Sequence, residues 1–292
     1  MQNLDFSSIC GRFLPGNEQL AYRDPAACFV DGRFHIFFTL VEKHKGTPCL
    51  CLATVISRDL KNFSPVRRLT EYDPRLNYSS PGSIIPWGGE YVLCLQTYPR
   101  PKGEKYGDES ARIFIMRTSN FESWSSPELL RVKGPDVPEN EMGRMIDPFL
   151  LIDKDDPGLV WCFYKQNGVS LSYSRDLLNW TFHGHTQAGE NVCVLAKNGS
   201  YYMFHSPKNG IGILQSYDLK KWKKAAETVF LKAHEAQWSK GRVTAGFVMD
   251  LAPWHDKFLM LYHASGPEDE SVDFDKNASL AIAVSDDLLT WD

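Results

Sequence analysis

A seven-residue turn motif recurs five times along this chain of 292 residues. Each copy begins with a hydroxyl residue, has an acidic or amide residue at its third position and ends with an aromatic residue. Each copy also follows an apolar or alternating run, which is typical of a strand that ends in a polar turn. The five copies are SRDLKNF (57–63), TSNFESW (118–124), SRDLLNW (174–180), SYDLKKW (216–222) and SDDLLTW (285–291).

A second pattern, a tight turn between two apolar runs, lies upstream of each copy. Four of these five turns contain glycine, the residue that most easily adopts a positive φ. The turns are FVDGRFHIFF, IPWGGEYVLCL, IDKDDPGLVWCFY, LAKNGSYYMFH and APWHDKFLMLYH. Together the two patterns predict four strands in each repeat and five repeats in the chain.

Five four-stranded units predict an all-β fold, a five-bladed β-propeller that occupies residues 1–292 as one domain. A two-layer sandwich is the structural alternative, but a fivefold repeat fits it badly. The last repeat stops at LLTWD without a fourth strand. We expect the N-terminal segment DFSSICGRFL to supply that strand and to close the ring, which removes its open edges.

Charge and hydrophobicity argue against two classes of binding partner, nucleic acids and membranes. A formal net charge of −4 argues against a nucleic-acid partner. No stretch approaches the roughly 20 apolar residues of a membrane helix, so no membrane contact is expected. The N-terminus has no basic start followed by an apolar run, so the sequence predicts a cytoplasmic protein unless a leader has been trimmed.

The starts of the five predicted inner strands carry the candidate chemistry. The first strands of propeller blades line the central channel, so their starts converge at one face. Those positions hold Asp24, Ser80, Asp147, Glu190 and Thr244. An aspartate before proline can simply open a turn, but three carboxylates at equivalent repeat positions favour a shared functional site.

These motifs resemble the five-bladed glycosidases of glycoside hydrolase family 43 and related families. The resemblance rests on RDPAACFVDGRFHIFF, IDPFLLIDKDDPGLVWCFY and ENVCVLAKNGSYYMFHS, and it covers essentially the whole chain. It implies Asp24 as general base, Asp147 as the residue that tunes the acid's pKa and Glu190 as general acid. The reaction of such an enzyme passes through an oxocarbenium-like transition state, and the general acid protonates the leaving oxygen.

Two departures from the family pattern bear on the site. The family often places Ala or Gly and then Pro after the acid, whereas Asn191 and Val192 follow Glu190, so Glu235 in AHEAQWSKGR is an alternative acid. Many members carry a histidine near a central calcium at the start of the fifth blade. This chain has Thr244 there, so we expect no metal and no cofactor.

Further residues are candidate sugar contacts, because aromatic rings stack on sugars and forked donors hold hydroxyl groups. They are Arg23, Gln96, Arg144, Trp238, Arg242 and His263. Two polar loops of the sequence have no assigned role in the site. The polar loop 99–110 is either a solvated hairpin tip or a wall of the cleft, and the acidic loop 266–279 resembles a metal loop in charge alone.

The favoured function is an inverting, exo-acting glycosidase that acts on a small oligosaccharide or glycoside. A glycoside phosphorylase or a retaining glycosidase on the same fold is a second possibility, and Arg23, Arg144 and Arg242 leave phosphorolysis open. A non-catalytic propeller that binds carbohydrate or protein is the third. The G-H…W-D signature of WD40 scaffolds is missing.

Overall fold

The computed structural model describes residues 4–44, 46–229, 235–270 and 274–292. Twenty strands form five separate four-stranded antiparallel sheets, which confirms the predicted five-bladed β-propeller. Two four-residue helices, α1 (Phe6–Ile9) and α2 (Ala252–His255), are its α-helices in those residues. Neither is long and apolar enough to cross a membrane.

The strands follow the repeats. Blade 1 contains β2 (Leu20–Val30), β3 (Arg33–His44), β4 (Thr47–Ser57) and β5 (Arg67–Arg68), while β1 (Gly11–Leu14) precedes it. Blade 2 contains β6 (Ile84–Trp87), β7 (Glu90–Gln96), β8 (Ile113–Thr118) and β9 (Glu128–Leu129). Blade 3 contains β10 (Ile146–Ile152), β11 (Val160–Lys165), β12 (Val169–Ser174) and β13 (Trp180–Thr186).

Blades 4 and 5 complete the ring. Blade 4 contains β14 (Glu190–Lys197), β15 (Ser200–Ser206), β16 (Ile211–Ser216) and β17 (Lys223–Val229). Blade 5 contains β18 (Arg242–Asp250), β19 (Phe258–Ser265) and β20 (Ser279–Ser285). Its fourth strand is β1, which pairs antiparallel with β20, Gly11 opposite Ile282. The predicted ring closure is therefore confirmed, although residues 6–9 of the predicted segment form α1.

The repeated turn motif has one structural cause in all five blades. The hydroxyl of its first residue accepts a hydrogen bond from the backbone N–H three residues on, as Ser174 Oγ does from Leu177 at 3.0 Å. That fourth residue adopts a positive φ, 61° for Leu177. The carboxylate of Asp176 accepts from the next two N–H groups, and the Trp180 indole donates to the Leu177 carbonyl at 3.1 Å.

The first strands surround the central channel, and a left-handed residue lies within or just before each of them. These residues have φ between 42° and 54° and are followed by the inner run of their blade. They are Asp24, Ser80, Asp147, Asn191 and Ala245. In four blades the strand register also breaks here, for example between Arg23 and Ala26. This bulge interrupts the regular alternation of side chains along the strand, so the side chain at the channel mouth points in a different direction.

The bulges correct two of the equivalences assigned from the sequence. Asn191 and Ala245, rather than Glu190 and Thr244, match Asp24 and Asp147. Proline follows the left-handed residue in blades 1 to 3 and marks the position there, whereas Val192 and Gly246 follow in blades 4 and 5. Without that marker the sequence alignment of these two blades is shifted by one residue.

Candidate active site

A cavity of about 990 Å³ opens at the face where the five left-handed residues meet. Its lining includes all three predicted catalytic acids, Asp24, Asp147 and Glu190, which come from blades 1, 3 and 4. Below it, a narrow apolar channel is lined by the residues that follow the bulges, such as Pro25, Pro148 and Val192. The fold thus brings the three carboxyl groups together, although Glu190 lies one residue before the position equivalent to Asp24 and Asp147.

Asp24 lies at the channel mouth with a full set of hydrogen-bond donors. Its Oδ2 accepts from Thr39 Oγ1 at 3.1 Å and from Ser80 Oγ at 3.0 Å. Its Oδ1 accepts from Asn191 Nδ2 at 3.3 Å. The Asp24 backbone N–H donates to His263 Nδ1 at 3.0 Å. Donors on both oxygens fix the orientation of this carboxylate.

Asp147 has the opposite environment. It is buried, and its backbone N–H donates to Gln96 Oε1 at 2.5 Å. Its carboxyl group accepts one bond among the described residues, a long one of 3.3 Å from the Asn191 N–H. Burial, together with the charges of Glu190 and Asp24, raises the pKa of Asp147 to about 8. Burial therefore favours the protonated form of Asp147, and Asn191 connects this residue to Asp24 by hydrogen bonds.

Glu190 is the most accessible of the three acids, with 37% of its side chain exposed. Its Oε1 accepts a hydrogen bond from Arg242 Nη2 at 3.0 Å. Glu235 is also exposed, but it does not line the cavity as far as the described residues define it. The geometry therefore favours Glu190 over Glu235 as the third acid of this site.

Glu270 organises a buried charge network beneath the cavity. Its side chain is 1% exposed and accepts from Arg23 Nη2 at 3.0 Å and from Arg242 Nη1 at 2.5 Å. Because His263 Nδ1 accepts from Asp24, the His263 proton is on Nε2, which lies 3.1 Å from Glu270 Oε1. These cations lower the pKa of Glu270 despite its burial. Glu270 thus connects the surroundings of Asp24 to those of Glu190.

Sequence reasoning missed Glu270 because it belongs to the acidic loop 266–279, which has no counterpart in the other repeats. That loop also supplies Phe274, whose ring lies 3.7 Å from the Arg23 guanidinium carbon. The polar loop 99–110 contributes to the cavity too, through Tyr106 and Glu109. Arg100 of that loop joins the two loops by a bidentate pair with Asp275 at 2.8 Å.

Five of the six predicted sugar contacts line the cavity. They are Arg23, Gln96, Arg144, Arg242 and His263. Trp238 does not line it within the described part of the chain, and its ring instead packs under the Arg12 guanidinium at 5.3 Å. The same part of the chain contains no group of three or more His, Cys, Asp or Glu side chains placed to hold a metal ion.

Comparisons with known proteins agree on the fold. No protein-family model and no curated protein matches the sequence. Among solved structures, a family 117 glycoside hydrolase of the marine bacterium Zobellia galactanivorans matches with a TM-score of 0.65 and 15% identity over 91% of this chain and 86% of the other. The catalytic domain of the Coprinopsis cinerea GH62 α-L-arabinofuranosidase matches with a TM-score of 0.64 and 13% identity over 94% and 96%.

A third solved structure, the RS223 β-xylosidase, matches with a TM-score of 0.64 and 12% identity over 92% of this chain and 94% of the other. The named structural neighbours are thus glycoside hydrolases that share the five-bladed fold over most of their length. This confirms the resemblance inferred from the sequence at the level of fold. At such low identity the reaction has to be argued from the site itself.

Proposed function

We propose that the protein is a glycoside hydrolase that removes a sugar from a small oligosaccharide or glycoside with inversion of configuration. The observation that supports this most strongly is the convergence of three carboxyl groups from three blades on one cavity. Glycosidic cleavage needs an acid that retains its proton near neutral pH and an ionised base. Asp147, Glu190 and Asp24 together meet that need.

In this proposal Glu190 delivers the proton to the leaving oxygen. Burial and the nearby charge of Glu190 raise the pKa of Asp147, so a proton is held beside Glu190. The accessible position of Glu190 suits contact with substrate, whereas buried Asp147 suits a supporting role. When the glycosidic bond breaks, the leaving oxygen takes the proton and carries away the bonding electrons.

Asp24 acts as the general base. It accepts a proton from a water molecule, whose oxygen forms the new bond to the anomeric carbon on the face opposite the leaving group. Thr39, Ser80 and Asn191 orient the Asp24 carboxylate for this role. The inverting mechanism requires roughly 6.5–9.5 Å between acid and base, so that the water fits between base and sugar.

The size and lining of the cavity also favour a small sugar substrate. Its volume of about 990 Å³ is at the upper end of the range for small-molecule sites. The rings of Tyr98, Tyr106 and Phe274 line one side and offer flat apolar surfaces to a sugar. Arg144 and Gln96 are additional donors toward its hydroxyl groups, while the structural neighbours named as an arabinofuranosidase and a xylosidase make pentosides the first substrates to test.

The test is hydrolysis of a panel of aryl glycosides by the wild type, by Glu190→Gln and by the matched variant Glu235→Gln, with the product anomer identified by proton NMR. We expect one glycoside to be cleaved with inversion. Loss of the acid should lower kcat by about 10²- to 10⁴-fold, whereas Glu235→Gln should retain activity.

Other results would redirect the proposal. Full activity of Glu190→Gln would remove Glu190 as the acid, and a simultaneous loss in Glu235→Gln would assign that role to Glu235. Retention of the anomer would indicate a covalent intermediate on the enzyme. A panel without any cleavage that nevertheless binds sugar would favour the non-catalytic propeller.

A further inference from the structure

The wall of the cavity formed by blades 3 and 4 carries three cations. Arg144 precedes β10, Lys165 ends β11, and Lys208 lies in the loop between β15 and β16. Lys165 pairs in register with Ile146, the neighbour of Asp147. Burial, together with the charge of Lys165, lowers the pKa of His205 in blade 4. His205 is three residues before Lys208, so the three cations belong to one continuous wall.

These cations differ from the other two arginines of the cavity. Arg23 and Arg242 are both paired with Glu270, and Arg242 also with Glu190. By contrast, Arg144, Lys165 and Lys208 form no ion pair with any residue that the structure describes. Arg144 lies over the Tyr98 ring, 5.8 Å from its centroid, and makes no shorter ionic contact within the same residues.

The acids on this wall do not balance the charge. Glu190 is already bonded to Arg242, and Asp147 forms no ion pair with any described residue. Burial raises the pKa of Asp147, and the charge of Arg144 opposes that shift only in part. Arg144 and Lys165 are moreover half-buried, so their charges are less well solvated than those of surface lysines. A half-buried cation without an anion is unfavourable unless a ligand supplies the missing charge.

We infer that Arg144, Lys165 and Lys208 form an anion subsite for a carboxylate on the substrate, so that the enzyme acts on glycosides containing a uronic acid. This inference rests on the proposed function and adds the substrate class. A guanidinium presents paired N–H donors that match a planar carboxylate, and the two ammonium groups add charge beside it.

The position of the cations favours a group on the substrate over free phosphate. In an inverting phosphorolysis, phosphate would replace the attacking water and would therefore bind next to Asp24 in blade 1. The arginine adjacent to Asp24 is Arg23, and Glu270 already neutralises it. The unpaired cations instead come from blades 3 and 4, the blades of Asp147 and Glu190.

The first experiment compares kcat/KM for 4-nitrophenyl glucuronides and galacturonides with the matching glucosides and galactosides, which differ only in carboxylate against hydroxymethyl. We expect the acidic member of a pair to be preferred at least tenfold. Lys165→Gln and Arg144→Gln should each lower that acidic-to-neutral ratio at least tenfold. Lys220→Gln, on the outer turn of blade 4, is the matched control and should leave the ratio unchanged. The preference should also weaken as salt rises.

Preference for the neutral member, or an equal effect of the variants on both members, would overturn the inference. Formation of a sugar 1-phosphate on addition of inorganic phosphate would assign the cations to an acceptor phosphate and would also overturn it.

A calorimetric titration of Glu190→Gln with glucuronic, galacturonic and trigalacturonic acid separates this inference from the proposed function. If no glycoside is hydrolysed but these acids bind, and Lys165→Gln in the same background abolishes binding, the subsite stands and hydrolysis fails. If neutral glycosides are hydrolysed while none of the acids binds, hydrolysis stands and the subsite fails. Absence of both activity and acid binding would overturn both.

Discussion

Replacement of Glu270 by glutamine tests the buried charge network most directly. Glutamine keeps the size of the side chain but removes its charge and turns one acceptor oxygen into a donor. Among the described residues, Arg242 would retain Glu190, whereas Arg23 would keep the Phe274 carbonyl at 3.0 Å and the Phe274 ring. Arg23 is 7% exposed, so its charge would be left largely buried without an ion pair, and Asp24 would be the nearby anion that remains.

Removing one partner of a buried ion pair typically costs about 3–5 kcal/mol of unfolding free energy. An unfolding entropy of about 2.1 cal/mol/K per residue amounts to roughly 0.6 kcal/mol/K for a chain of 292 residues. Each kcal/mol therefore lowers the melting temperature by about 1.6 °C, so Glu270→Gln should melt roughly 5–8 °C below the wild type. The assay is urea and thermal unfolding followed by circular dichroism. Glu18→Gln is the matched control, because Glu18 is 69% exposed and pairs with Lys276 at the surface.

The same variant has a defined pH signature. The pKa of Glu270 is lower in the folded protein than in the unfolded chain, so its stabilising effect is complete above the unfolded value of about 4.3. The effect should be lost as pH falls below that value. A Glu270→Gln midpoint equal to that of the wild type at pH 7 would refute the reasoning, as would a difference that persists undiminished at pH 3.

Three further predictions concern other parts of the molecule. Folding raises the pKa of Asp147, so the contribution of this residue to stability is complete below about pH 4 and is lost as pH rises toward 8. Asparagine does not titrate, so Asp147→Asn should gain stability relative to the wild type over that pH range. Urea unfolding midpoints measured across the range test this. Gly82→Ala should lower the unfolding free energy by more than about 4 kcal/mol and abolish soluble expression, because its Cβ would lie 1.4 Å from the Pro148 carbonyl oxygen. Gly32 has open space around it but a φ of +73°, so Gly32→Ala should lower the unfolding free energy by only about 1–2 kcal/mol in chemical denaturation. Trp238→Ala should leave KM for a cleaved glycoside unchanged, since its ring packs against Arg12 outside the cavity, and a rise in KM with unchanged stability would contradict that placement.

The fold was largely predictable because its cause is repeated along the sequence. The first and third residues of the turn motif accept the same backbone hydrogen bonds in every blade. The five copies therefore fix both the number of blades and the need for a closing strand. Asp24 and Asp147 were predictable for the same reason, because proline follows each of them at the bulge. Where that marker is missing, as at Asn191, the assigned position was shifted by one residue.

Glu270 could not be found in this way. It lies in a loop that occurs once, directly after Glu268 and Asp269, and three consecutive acids carry no periodic signal that identifies the inward one. Its burial follows from long-range partners, Arg23 and Arg242, which come from blades 1 and 5. Only the closed ring brings those two arginines together, so the network is a property of the tertiary structure.

The ring closure also constrains how the protein is made. β1 leaves the ribosome before the other strands of the ring, but its partner β20 is synthesised after all of them. Blades 1 to 4 can each assemble from contiguous chain, whereas β1 remains an unpaired edge until blade 5 arrives, and unpaired edges invite association with other chains. A circular permutant that makes β1 follow β20 without interruption would remove this delay, and it should refold faster and aggregate less than the natural chain order.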